Sequence, residues 1–93
     1  MIYAYAALTI TNPESLAAYR EKAGAALALY GGSVVSASKD LTALDGAPSL
    51  PDMAAILSFP DRESALGWIN DPELADVHAL RRGAGGSDAI LLG

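Results

Sequence analysis

Residues Met53–Phe59 read MAAILSF, with Pro51-Asp52 before them and Pro60-Asp61 after. Seven mostly apolar residues between two turn signals suit a strand better than a helix. Successive side chains point to opposite faces, Met53, Ala55, Leu57 and Phe59 on one and Ala54, Ile56 and Ser58 on the other. Neither face carries a charge, so this strand requires cover on both sides.

Upstream, residues 2–11 alternate, with Ile2, Ala4, Ala6, Leu8 and Ile10 on an aliphatic face and Tyr3, Tyr5, Ala7, Thr9 and Thr11 on an aromatic-to-hydroxyl face. This pattern predicts a second strand. Asn12-Pro13-Glu14 has the composition of a helix start. The helix is expected to run to about Tyr30, where Gly31-Gly32 stops it. Leu16, Tyr19, Ala23, Ala26, Leu27 and Tyr30 form its apolar stripe. Residues 33–39 predict another strand, which residues 41–44 extend past a kink at Lys39-Asp40. Asp45-Gly46 and the Pro-containing stretch 47–52 predict a turn and a loop.

Downstream, Asp61 is the expected N-cap of a helix through Asn70. Asp71-Pro72-Glu73 then breaks and restarts it, because a residue before proline avoids helical dihedrals. The second segment is expected to run to about Arg82, with Leu74, Val77, His78 and Arg81 on one face. Gly83, Gly85 and Gly86 mark a loop, and residues 88–92 a last strand. The order β-α-β-β-α-β with right-handed crossovers gives an α+β, ferredoxin-like βαββαβ domain. Its four-stranded antiparallel sheet carries two helices on one face, and residues 1–93 form a single domain.

Composition narrows the function. The net charge is −5, and phosphate backbones are held by clustered Lys and Arg, so nucleic acid is not an expected partner. An anionic membrane surface is excluded on the same ground. With no Cys and one His, neither a Cys-based nor an all-His metal site within one chain is expected. No stretch approaches the roughly 20 apolar residues of a membrane span, and the N-terminus lacks a basic leader. A cytoplasmic protein is expected. Hydrophobic residues make up 52% of the chain. Many are alanine, which predicts close-packed helices and little cavity space.

Helices on one sheet face leave the other bare, yet Met53–Phe59 is apolar on both. Leaving large side chains wet forfeits about 1.5–3 kcal/mol each, so a homodimer burying about 1,600 Å² between two sheets is expected. Curved sheets meeting this way enclose space toward which Tyr3, Tyr5 or Thr9 point.

The chain also resembles a family. A Tyr-bearing first strand precedes Asn12-Pro13-Glu14 and a helix with Tyr19. Tyr30-Gly31-Gly32 leads into a strand, and Phe59-Pro60-Asp61 leaves one. Ala65 and Trp68 follow in the next helix, and Leu80-Arg81 precedes a last strand ending at Gly93. This pattern resembles the domain-of-unknown-function 1330 family, within the dimeric α+β barrel superfamily. The resemblance spans essentially the whole chain and implies a ferredoxin-like protomer, a homodimer and no metal or organic cofactor. Fold relatives include cofactor-independent monooxygenases and muconolactone isomerases. Residues 83–87 depart from the pattern in being richer in glycine.

Few residues are candidates for chemistry. His78 has an unperturbed pKa near neutrality and lies one turn from Arg81, so the two form a candidate acid/base and anion-binding pair; the alternative is a helix-surface His and a C-terminal Arg favoured by the helix dipole. Tyr3 and Tyr5 are read as cavity wall or as interface packing. Tyr19 and Trp68 are read as core anchors or as the edge of a ligand pocket. No nucleophile elbow, P-loop, dinucleotide fingerprint or metal motif is present. Three functions follow. The first is a dimeric barrel binding a small organic molecule between sheet and helices. The second is a cofactor-independent monooxygenase or isomerase acting on a phenolic or lactone-like substrate. There Tyr5 orients the substrate, His78 is the base and Arg81 stabilises an enolate or phenolate. The third is a non-catalytic structural or partner-binding dimer, with the space between its two sheets filled by side chains.

Overall fold

A computed structural model describes residues 1–93. In chain order it contains β1 (Ile2–Leu8), α1 (Pro13–Ala28), β2 (Ser33–Ser38), β3 (Met53–Phe59), α2 (Arg62–Asn70), a 3-10 turn (Pro72–Leu74), α3 (Ala75–Gly83) and β4 (Ser87–Leu92). The strands form one antiparallel sheet in the ferredoxin-like order β2-β3-β1-β4. The shortest dimension is 17 Å, about one sheet plus one helical layer.

The helix starts follow the local chemistry. Asn12 Oδ1 accepts from Ser15 N at 3.2 Å, and Asp61 Oδ1 accepts from Ser64 N at 2.7 Å. The layer holds three helical segments rather than two helices. Asp71 is extended ahead of Pro72 and accepts from Glu73 N, so α2 stops and the chain restarts as a 3-10 turn leading into α3. Ser15 Oγ donates to the Leu80 carbonyl at 2.7 Å, tying α1 to α3.

Two strand boundaries differ from expectation. β1 ends at Leu8 instead of residue 11, because the next residues bind a turn rather than a strand. Thr9 N donates to Gly86 O, and Thr11 N and Asn12 N both donate to Ala84 O. Residues 41–44 do not extend β2. Its pairing with β3 ends at Ser38↔Ala54, and Ser38 Oγ accepts from Asp40 N and turns the chain away from the sheet.

The side chains facing the helices are those of Ala4, Ala6 and Leu8 on β1, with Ala55, Leu57 and Phe59 on β3. They meet two separate packed clusters. One contains Leu27, Leu57, Phe59, Ala65, Trp68 and Leu74; the other joins Leu8, Leu16 and Ala84. Tyr30 closes the first cluster. Its ring lies so near Gly67 that a Cβ there would come within 2.6 Å of it, and its hydroxyl donates to Asp71 Oδ2 at 2.7 Å. That bond holds the Asp71 carboxyl below its ordinary range and raises the Tyr30 phenol.

Candidate functional site: a cavity between sheet and helices

Between the two clusters lies a partly open cavity of about 240 Å³, lined by residues of all four strands and all three α-helices. Its floor follows from strand register. Ala37 pairs with Ala55, Ala55 with Ala6, and Ala6 with Ala89. A row of four alanines thus crosses the whole sheet, and α1 presents Ala23 and Gly24 above it. Where large side chains would fill the layer, methyl groups leave space. The expectation that alanine content means little cavity space is therefore corrected. Alanine packs tightly where backbones approach each other, but over a floor that α1 bridges it leaves a hollow.

The wall facing α3 is polar and ordered. His78 and Arg81 are one turn apart, and both are buried. Arg81 Nη1 lies 2.7 Å from His78 Nδ1, and His78 Nε2 lies 2.8 Å from the Trp68 carbonyl. A guanidinium only donates, so Nδ1 is the acceptor and Nε2 carries the proton. Burial lowers the His78 pKa, outweighing the Trp68 carbonyl, and the charges of Arg81 and Arg82 add to the lowering. The imidazole is thus neutral, with both nitrogens engaged. Arg81 Nε also donates to Ser87 Oγ on β4 at 3.2 Å. The guanidinium carbon lies 5.4 Å from the Trp68 ring centroid and 5.9 Å from that of Tyr19, within cation–π range of both. Trp68 packs against Phe59 and, edge to face, against His78. Its Nε1–H is the one buried side-chain polar atom without a hydrogen-bond partner.

The sequence-level candidates therefore separate. Tyr19, Trp68 and Arg81 line one cavity, and His78 stands behind Arg81 without lining it. Tyr3 and Tyr5 lie on the opposite face of the sheet, paired with Ser58 and Leu92, and with Ile56 and Ile90. The grouping of Tyr5 with His78 and Arg81 is corrected accordingly: residue 5 has the opposite strand parity from Ala4 and Ala6, so its side chain leaves by the other face. As for His78, proposed as the base, both of its ring nitrogens are engaged, Nδ1 by Arg81 and Nε2 by the Trp68 carbonyl. Sequence reasoning missed Ser87, which holds Arg81, and Arg20, which lines the cavity and donates from Nη2 to Met53 Sδ at 3.6 Å. It also missed the alanine row, whose only sequence signal is alanine at helix-facing positions of four strands. No group of three or more His, Asp or Glu side chains is arranged to hold a metal ion, and no helix is long and apolar enough to cross a membrane.

A family model described as a domain of unknown function, DUF1330, matches residues 1–93. No curated protein matches the chain. Among solved structures, RPA0582 from Rhodopseudomonas palustris, a protein of unknown function, is similar at 23% identity and a TM-score of 0.73. That match covers 98% of this chain and 79% of that one. A methylated form of RPA0582 is similar at 24% identity and a TM-score of 0.76, covering 98% and 78%. These likenesses concern the fold alone.

Proposed function

We propose, on the premise that this chain belongs to the DUF1330 family along its whole length, that it binds a small, largely apolar organic molecule between its sheet and its helices. The alanine-floored cavity carries this reading. An apolar cavity of about 150 Å³ already takes benzene, and this one offers about 240 Å³, with 13 of its 16 lining residues hydrophobic. Against an oxygenase or isomerase weigh the engaged nitrogens of His78 and the remoteness of Tyr5.

Filling that space tests the reading. Ala6→Leu adds three carbons to the middle of the floor. It is expected to abolish the titratable change in Trp68 fluorescence caused by small cyclic ligands while leaving the far-ultraviolet circular dichroism unchanged. A ligand response that persists at wild-type strength in Ala6→Leu would place binding elsewhere.

We infer in addition that the bare sheet face is covered by a second copy of the chain. Tyr3, Ile90 and Leu92 are neighbours on that face, and each is more than 40% exposed in the single chain. A contiguous apolar patch of this kind is characteristic of an interface.

A further inference from the structure

We propose that the cavity's ligand is an organic carboxylate, its charged end on Arg81 and its apolar body over the alanine floor. This rests on the reading of the cavity as a binding site and adds the chemical class of what it binds. Four observations converge on it.

The first is the distribution of charge. The chain has 6 Lys and Arg against 11 Asp and Glu. Two of those basic residues, Arg20 and Arg81, line the cavity, and no acidic residue does. A site this electropositive in a protein of net charge −5 selects an anion.

The second is the state of Arg81. Only 6% of it is exposed, and its hydrogen-bond partners are neutral, Ser87 Oγ and His78 Nδ1. Buried charges are ordinarily paired, because an isolated ion is costly to desolvate. Of the five N–H groups of a guanidinium, two are used here, which leaves three. A carboxylate supplies both the missing charge and acceptors matched to the guanidinium fork.

The third is the Trp68 indole. Its Nε1–H is buried with no acceptor, on a ring that lines the same cavity and lies 5.4 Å from the guanidinium carbon. An unsatisfied buried donor is costly, and a turn of the indole toward a second oxygen of the ligand would relieve it.

The fourth is the lining. A doubly charged, strongly hydrated phosphate monoester fits poorly among walls that are mostly hydrocarbon. A singly charged carboxylate on a ring or short chain fits both halves of the site.

The experiment titrates the wild-type protein with benzoate, with its neutral isostere benzamide and with phenyl phosphate. Binding is read by Trp68 fluorescence, the only tryptophan in the chain, and by the indole N–H resonance. Benzoate is expected to bind at least about tenfold tighter than either competitor, a difference of about 1.4 kcal/mol. That margin is expected to vanish in Arg81→Gln and to survive in part in Arg81→Lys. Should Arg81→Gln fail to fold, the wild-type comparison and Arg81→Lys decide the matter. Equal affinity for benzoate and benzamide would overturn the carboxylate and leave the apolar binding site standing. Preference for phenyl phosphate would overturn it in favour of a phosphate ligand. No saturable response to any of the three would remove the binding site and the carboxylate together.

Discussion

His78 Nε2–H donates to the Trp68 carbonyl while Nδ1 accepts from Arg81, so folding holds the imidazole in its neutral form. Its folded pKa lies below the ordinary value, mainly through burial. In the unfolded chain the ring takes up a proton near pH 6.5; in the folded chain it resists until lower pH. Between those two values the unfolded state binds more protons, so stability falls as pH falls. One such group gives a slope of at most about 1.4 kcal/mol per pH unit. Urea midpoints are therefore expected to drop between pH 7 and pH 5.5 in the wild type and to stay nearly level in His78→Gln. Parallel curves for the two proteins would refute this assignment. The histidine thus holds the Arg81 guanidinium by a hydrogen bond. Sequence alone made it conspicuous, as the only imidazole, but could not show that both its nitrogens are occupied.

At the scale of elements, the glycine-rich segment between α3 and β4 is a fastening. The Ala84 carbonyl accepts from Thr11 N at 2.7 Å and Asn12 N at 3.0 Å, and Ala84 itself is fully buried. Gly85 has φ of +148°, and a Cβ there would lie 1.7 Å from the Thr9 carbonyl oxygen. Because that neighbour is backbone, it cannot rotate aside. Gly85→Ala is expected to cost about 3 kcal/mol or more, seen as a fall in thermal midpoint of well over 10 °C for a chain of this size. A change below about 1 kcal/mol would mean that the turn relaxes freely. The excess of glycine over the family pattern reads in sequence as a loop. Only the approach of the chain after β1 shows that Gly85 is sterically required. Helix starts were legible because an N-cap and its amide donor are three residues apart. The ends of β1 and β2 were not, because partners distant in sequence decide where pairing stops.

For the molecule as a whole, one helical layer over one sheet leaves the face bearing Tyr3, Ile90 and Leu92 exposed to water. A charge placed there should resist burial against a second copy. Ile90→Glu is expected to sediment as a single protomer at micromolar concentration where the wild type sediments as a dimer, with the circular dichroism of the fold retained. A wild type that is already monomeric at that concentration would rule out the second copy. Acid adds a separate limb. Asp61 and Asp71 have lowered pKa values, through the Ser64 amide and the Tyr30 hydroxyl respectively. Their contributions are complete above the ordinary carboxylate range and are lost as pH falls below about 4. Asp71→Asn should blunt this second loss and leave the one near pH 6 in place.

What the residues alone determined was the identity and order of the elements, the break at Asp71-Pro72 and the demand for cover on both sides of Met53–Phe59. Those are local properties, set by alternation, by capping and by the fixed dihedral of proline. The tertiary structure alone decided that alanines 6, 37, 55 and 89 stand in one row, that Tyr5 and Arg81 lie on opposite sides of the sheet, and that the arginine is buried without a carboxylate. Register and strand parity are agreements between distant segments. No single stretch of chain contains the cavity they create.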